Sequence, residues 1–225
     1  MIKRHLGLFA VLAILAVGTV AQGATLTHGP TAFGSFSAGT GGIFNIPQFD
    51  PILGTLTQVD LSIIGNSVGG SNGLQNLSGN AGTASVSIGT NITVGGPSSL
   101  AALAFPASSN SGPVAAYGGV PDFTYSGPDS IKVIGSPATD SDSDSIFASL
   151  GPYIGVGSVV FNYSSASNNS STATFSPTSS GTTPADFDFE ATVTYHYDLV
   201  PEPSTFVLLG LGAVGMIAFA RRRMA

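Results

Sequence analysis

An antiparallel β-sandwich is the fold class this sequence predicts, and three observations predict it. Residues 24 to 199 are crowded with Gly, Ser, Thr and Asn, which favour turns and pleated segments over helices. Several segments alternate apolar and polar residues with period 2, the mark of a half-buried strand. No stretch of this region carries a convincing helical period, and short strands separated by turn signals pack as sandwiches, here expected to be jelly-roll-like. A region of about 175 residues can bury roughly 70% of its unfolded surface, so one core suffices.

Taken in order, Thr25 to Gly42 predicts early short strands with Phe33 and Phe36 turned to the core. Pro47 and Asp50-Pro51 mark a turn that ends at Gly54. Beyond it, Val59, Leu61 and Ile63 alternate with Gln58, Asp60 and Ser62, which predicts a long half-buried strand. Residues 66 to 82 are rich in Gly, Ser and Asn and are expected to form a long loop. Ala84, Val86 and Ile88 predict a strand, with Asn91 to Val94 continuing a hairpin; Leu100 to Phe105 fits a helical turn or a buried strand equally. Phe123 with Tyr125, Ile131 with Val133, and Val159 with Phe161 and Tyr163 predict three more strands, and Phe175 is the one core candidate of the Ser/Thr/Asn-rich stretch 162 to 181. In the last strand Phe187, Phe189, Ala191, Val193, Tyr195 and Tyr197 face one side, and Asp188, Glu190, Thr192, Thr194, His196 and Asp198 the other. It is expected at one edge of a sheet.

The two ends are of another kind. Lys3 and Arg4, the apolar run Leu6 to Val20, and small residues between Ala21 and Ala24 form the three-part pattern of a secretory signal peptide over residues 1–23. An uncleaved anchor is its alternative. At the other end, Val200-Pro201-Glu202-Pro203-Ser204 is followed by a charge-free run over 205–220 and then by Arg221, Arg222 and Arg223. About 16 residues at ~1.5 Å each reach roughly 25 Å, near the lower limit for a ~30 Å hydrocarbon core, so a transmembrane helix is expected. Arginines are costly in that core, and the positive-inside rule places them in the cytoplasm.

This tail, residues 200–225, resembles the PEP-CTERM protein-sorting signal of Gram-negative bacteria in its Pro-Glu-Pro entry, apolar run and terminal arginine cluster. The resemblance implies recognition by an exosortase, which cuts near the motif during export to the cell surface, commonly in bacteria that make exopolysaccharide. An ordinary unprocessed anchor is the alternative. A second resemblance covers roughly residues 30 to 200. Phe49-Asp50-Pro51, Leu53-Gly54-Thr55-Leu56 and Ile154-Gly155-Val156-Gly157-Ser158-Val159 are similar to segments of the choice-of-anchor E domain. It implies placement at the surface and no particular chemistry.

With both ends set aside, Lys132 is the one basic residue of the domain, against eleven acidic residues from Asp50 to Asp198. Nucleic acid is therefore not an expected partner, since phosphate neutralisation needs lysine and arginine. The chain has no cysteine, which excludes disulfides, thiolate metal ligands and a thiol nucleophile.

Motifs that could carry chemistry have plainer explanations. Gly65-Asn66-Ser67-Val68-Gly69 has the letters of a nucleophile elbow, but glycines follow where the elbow needs a helix. Gly210-Leu211-Gly212-Ala213-Val214-Gly215 has the letters of a dinucleotide fingerprint, but it lies in the apolar tail with no acidic residue after it. Asp140, Asp142 and Asp144 form a weak Ca²⁺ candidate, because hard cations take oxygen ligands. An EF-hand would need Gly at 145 and Glu at 151, where this chain has Ser145 and Gly151, so a solvated loop is the plainer expectation. His196 beside Glu190 and Asp198 is the other place where a metal can be drawn. No catalytic residue and no cofactor is expected.

The expected protein is thus an exported, non-enzymatic surface protein, structural or adhesive in the envelope or the polysaccharide matrix. Its expected partners are the membrane, through the C-terminal helix, an exosortase-type processing enzyme, and exopolysaccharide. A carbohydrate-binding module is the rival, with Tyr117, Phe123, Tyr125 and Tyr153 as its candidate rings; three of them on one exposed patch would favour it.

Overall fold

The computed structural model describes residues 23–200 and 203–223, and the side chains of 203–209 and 218 are outside that description. The expected signal peptide therefore lies outside the described residues, as do Pro201 and Glu202.

The described chain is antiparallel β-structure followed by one helix. A four-stranded sheet has the order β1 (Gly23–Ser37), β13 (Asp186–Leu199), β3 (Gly54–Val68), β9 (Ala138–Ile146). A second sheet has the order β11 (Ser170–Ala173), β5 (Gly82–Gly95), β10 (Ser158–Ser167), β2 (Gly41–Pro47), with β6 (Ala101–Ala104) and β7 (Ala107–Val114) also paired to β5. The third sheet is β12 (Thr178–Thr183), β4 (Ser71–Asn76), β8 (Ser130–Ile134). Helix α1 is Pro203–Arg222.

The first two sheets face each other across the main core. Val59, Leu61 and Ile63 of β3 and Phe187, Phe189, Ala191, Val193 and Tyr195 of β13 are buried, as their alternation predicts. From the opposite sheet come Phe44, Ile46, Ile92, Val94, Val159 and Phe161. Phe33 and Phe36 pack against this core half-buried, and Phe33 stacks on Phe189 with centroids 4.5 Å apart. Leu100 to Phe105 resolves as a strand, with Ala102 and Ala104 inside and Leu103 and Phe105 partly exposed.

Five expectations are corrected. In place of one jelly-roll-like sandwich around a single core, the chain adds a third sheet and a second core of Leu74, Ala84, Val86, Ile88, Val114, Ile131, Val133 and Ala185. Strand β5 joins the two: Gly82 to Gly89 pairs with β7 at the second core, and Ile92 to Gly95 pairs with β6 at the first. Residues 66 to 82 are not a long loop, because β3 runs to Val68 and β4 follows. There Asn72, Gln75 and Asn76 are buried on the two faces of β4, in places that apolar residues usually mark. Phe123 and Tyr125 do not form a strand. Asp122 folds that segment into a turn by accepting hydrogen bonds from the Thr124, Ser126 and Gly127 amides at 2.9, 2.6 and 2.7 Å. Asn91 to Val94 belongs to the same strand as Ala84 to Ile88 rather than to a hairpin partner. Finally, β13 lies inside its sheet between β1 and β3, not at an edge.

Candidate functional site

The last strand holds its place almost to the sorting motif. Asp198 pairs with Gly23 on one side and Thr55 on the other, and Leu199 pairs with Gly54. Gly54 is required there, because a Cβ would overlap the Asp198 carbonyl oxygen. After Leu199 the ladder ends and Val200 is 55% exposed. Only residues 200–202 separate the paired strand from α1, whose first residues are Pro203 and Ser204. Proline suits the first helical position, where its missing N–H costs nothing. Arg221 and Arg222 lie in the last turn of α1, where cations oppose the negative end of the helix dipole, and the Arg223 guanidinium stands 5.2 Å from the Phe219 ring centroid.

Among the described residues no helix is long and apolar enough to cross a membrane. The described residues therefore do not support the expected transmembrane span over 205–220. Its apolar run is only about 24 Å long at ~1.5 Å per residue, short of a ~30 Å hydrocarbon core, and part of it lies outside the described side chains.

The Ca²⁺ candidate turns out to be a structural ladder. Asp140, Asp142 and Asp144 lie in β9, not in a loop. Their carboxylates accept hydrogen bonds from the backbone N–H groups of Phe105 at 2.7 Å, Leu103 at 2.7 Å and Ala101 at 2.9 Å. Alternate residues on a strand are ~6.6 Å apart, so three such carboxylates cannot converge on one ion with ~2.4 Å bonds. Instead they replace the carbonyls of a missing neighbour strand along β6 and tie the two sheets together. No group of three metal-ligating side chains occurs among the described residues.

His196 does find a partner, though not the residues near it in sequence. Its Nε2 lies 2.6 Å from Asp60 Oδ2 across the β13–β3 pair. Burial raises the Asp60 pKa, but hydrogen bonds from Gln58, Ser145 and His196 outweigh it and hold the carboxyl below its ordinary value. Ser67 of the elbow-like motif is buried at the end of β3 and a strand follows, so no helix presents it. Gly210 to Gly215 sits within α1.

A second polar cluster escaped the sequence reading. Gln75 donates to the Val120 carbonyl at 3.0 Å and to Asp129 at 3.2 Å, and its Oε1 accepts from the Asp122 amide at 2.9 Å. Asn76 donates to the Asn80 and Ala115 carbonyls, each at 2.7 Å. The backbone N–H of Gly118, then the side chain of Gln75, hold the Asp129 carboxyl below its ordinary range against the opposing effect of burial. Asp122 is lowered further, first by the Thr124 hydroxyl and then by the Gly127 amide. The Asp129 carboxylate thus helps to hold residues 115–130 against β4, while the Asp122 carboxylate shapes the turn within that segment.

The candidate carbohydrate rings do not form a patch. Tyr153 is fully buried with its hydroxyl donating to the Pro97 carbonyl at 2.7 Å, and burial raises its pKa. Tyr117 and Tyr125 are half-buried, which leaves Phe123 at 81% exposure as the one open ring of the four.

Comparison with known proteins bears on the tail. Residues 199–223 match the family model of the PEP-CTERM protein-sorting motif. The chain carries a PEP-CTERM tail. The match starts on Leu199, the last residue of β13, so motif and fold meet without a linker. It does not extend over residues 30 to 200, and the resemblance to the choice-of-anchor E domain finds no support. No curated protein matches the chain.

Among solved structures, the chain is similar to that of the infectious bursal disease virus Gx strain, at 12% identity over 90% of this chain and 50% of the other, with a TM-score of 0.24. The infectious bursal disease virus VP2 subviral particle gives 10% identity over 90% and 50%, with a TM-score of 0.22. Desmodium yellow mottle tymovirus gives 10% over 83% and 94%, with a TM-score of 0.18. The chain spans about half the length of the first two. At such TM-scores the likeness carries neither fold nor function across.

Proposed function

We propose that this protein is exported to the cell envelope of a Gram-negative bacterium and handed over there to an exosortase-type processing enzyme through its PEP-CTERM tail. The observation that carries the reading is the motif at residues 199–223, set directly on the end of a strand that is paired on both sides. In this reading α1 holds the chain at the membrane until processing. The folded sandwich stops the enzyme from sliding further into the chain. Val200 and the residues after it are the first backbone free of the ladder, and the prolines keep that short segment from pairing with a neighbour. The β-domain acts as a non-enzymatic structural or adhesive module of the envelope or exopolysaccharide matrix. Its acidic, nearly lysine-free composition supports a soluble, self-repelling surface.

The test is fractionation with intact-mass measurement of the natural protein and of a Pro201→Ala, Glu202→Ala, Pro203→Ala variant. The natural protein is expected to lose the tail mass and leave the membrane fraction, and the variant to keep both. Equal processing and sorting of the two would overturn the reading.

A further inference from the structure

We infer that the end of the sandwich from which the tail leaves is a membrane-docking surface, its partner being the boundary between lipid headgroups and acyl chains. This rests on the reading that α1 meets the membrane. Three separate chain segments bring large apolar side chains to this end. Ile52 and Leu53 come from the turn before β3, Ile154 and Val156 from the loop before β10, and Leu199 and Val200 from the end of β13. Ile52 is 82% and Val156 92% exposed. They are neighbours through the backbone: Leu199 pairs with Gly54, Phe49 bridges to Ile154, and the Gly155 N–H donates to the Phe49 carbonyl at 3.0 Å. Single exposed aliphatic residues are ordinary on a soluble protein, but their convergence at one end marks an interaction surface. The turn at the opposite end, Ala38-Gly39-Thr40, has no large apolar side chain.

Two features make lipid the occupant. Gly23 pairs with Asp198, so the tail that follows Leu199, and until its expected removal the apolar signal segment that precedes Gly23, join the sandwich at this same end on adjacent strands. Pro203, the first residue of α1, is four residues beyond Leu199, so at no more than ~3.5 Å per step a surface that receives α1 lies within about 14 Å of this rim. The charge at this end then decides the kind of lipid contact. Asp50 and Asp198 flank the rim, and the domain's only lysine, Lys132, is in β8 of the third sheet. Docking therefore works by inserting aliphatic side chains and does not need anionic headgroups, unlike polybasic surfaces.

The chain has no tryptophan, so one introduced indole reports its own surroundings. The full chain is prepared as four single variants, Ile52→Trp, Val156→Trp, Thr40→Trp and Met216→Trp, and mixed with phosphatidylcholine vesicles with or without brominated acyl chains. Insertion of ~5–10 Å puts a side chain within reach of the bromines, so about twofold quenching is expected at 52, 156 and 216 and none at 40. Quenching at 216 with 52 and 156 behaving like 40 would overturn the docking surface and leave the tail reading intact. No quenching at any position overturns both. A blue shift at 156 that needs no vesicles and grows with protein concentration overturns the lipid assignment in favour of a contact between copies.

Discussion

Around the first core, seven rings are buried (Phe44, Phe49, Tyr153, Phe161, Phe187, Phe189 and Tyr195), whereas the second core buries only aliphatic side chains, from Leu74 to Val133 and Ala185. Rings bring large apolar areas, and the first core needs few directed bonds beyond the ladders and the two tyrosine hydroxyls, Tyr153 to Pro97 and Tyr195 to Pro47. The second core lacks that volume and is completed by polar groups: Asn72 bonds the Ser87 and Ser170 carbonyls, each at 2.8 Å, while Gln75 and Asn76 hold the segment before β8. One sequence thus uses two means of closing a sheet. Volume tolerates small shifts; a buried amide works only while every partner is present.

Breaking the comparison at its strongest point means Phe161→Ala, which opens a cavity between stacked Phe44 and tilted Tyr153. A loss of about 3–5 kcal/mol in urea unfolding is expected. Asn76→Ala comes next, at about 2–3 kcal/mol, because it strands two carbonyls and the Ser78 N–H that bonds its Oδ1. If Asn76→Ala were neutral, the second core would depend on volume after all. Gly73→Ala should cost about 1–3 kcal/mol, since a Cβ there overlaps the Tyr125 ring that lies over Gly73 and Gly181. Asp142→Ala removes one rung of the exposed carboxylate ladder and should cost about 1 kcal/mol, with Asp142→Asn closer to neutral because its amide oxygen still accepts from Leu103. Differential scanning calorimetry can rank these smaller two.

Acid separates the two regions without mutation. The folded-state pKa of Asp129 lies below its ordinary value of 3.8, so the stability it contributes is complete above that value and is lost as pH falls through the folded value. Below about pH 4 hydrogen exchange should rise first at Asn76, Gly118 and their neighbours, while β13 amides away from the Asp60–His196 pair stay protected. Asp129→Asn should flatten that dependence. Simultaneous loss of protection in both regions would show that the carboxylates do not hold the second core separately.

Legibility followed the same division. Val59 to Ile63 and Phe187 to Tyr197 were readable because a strand with one buried face writes its geometry into neighbouring residues, and the rings of the first core follow that alternation. Ser71 to Asn76 was not, since an inward amide looks the same in sequence as an exposed one. The ladder was hidden for a related reason: Asp140 to Asp144 reads as a charge cluster until β6 is beside it, 35 residues away for the Phe105–Asp140 bond.

From the sequence alone came the all-β class, the two long strands, the absence of thiol chemistry and the sorting tail. Each depends on a period, a composition or a motif contained within a few tens of residues. Tertiary structure alone decided the third sheet and second core, the use of three aspartates as backbone acceptors, and the meeting of Gly23 with Asp198 and of Phe49 with Ile154. Those depend on which distant segments become neighbours, and pairing across the chain leaves no local mark until the ladders form.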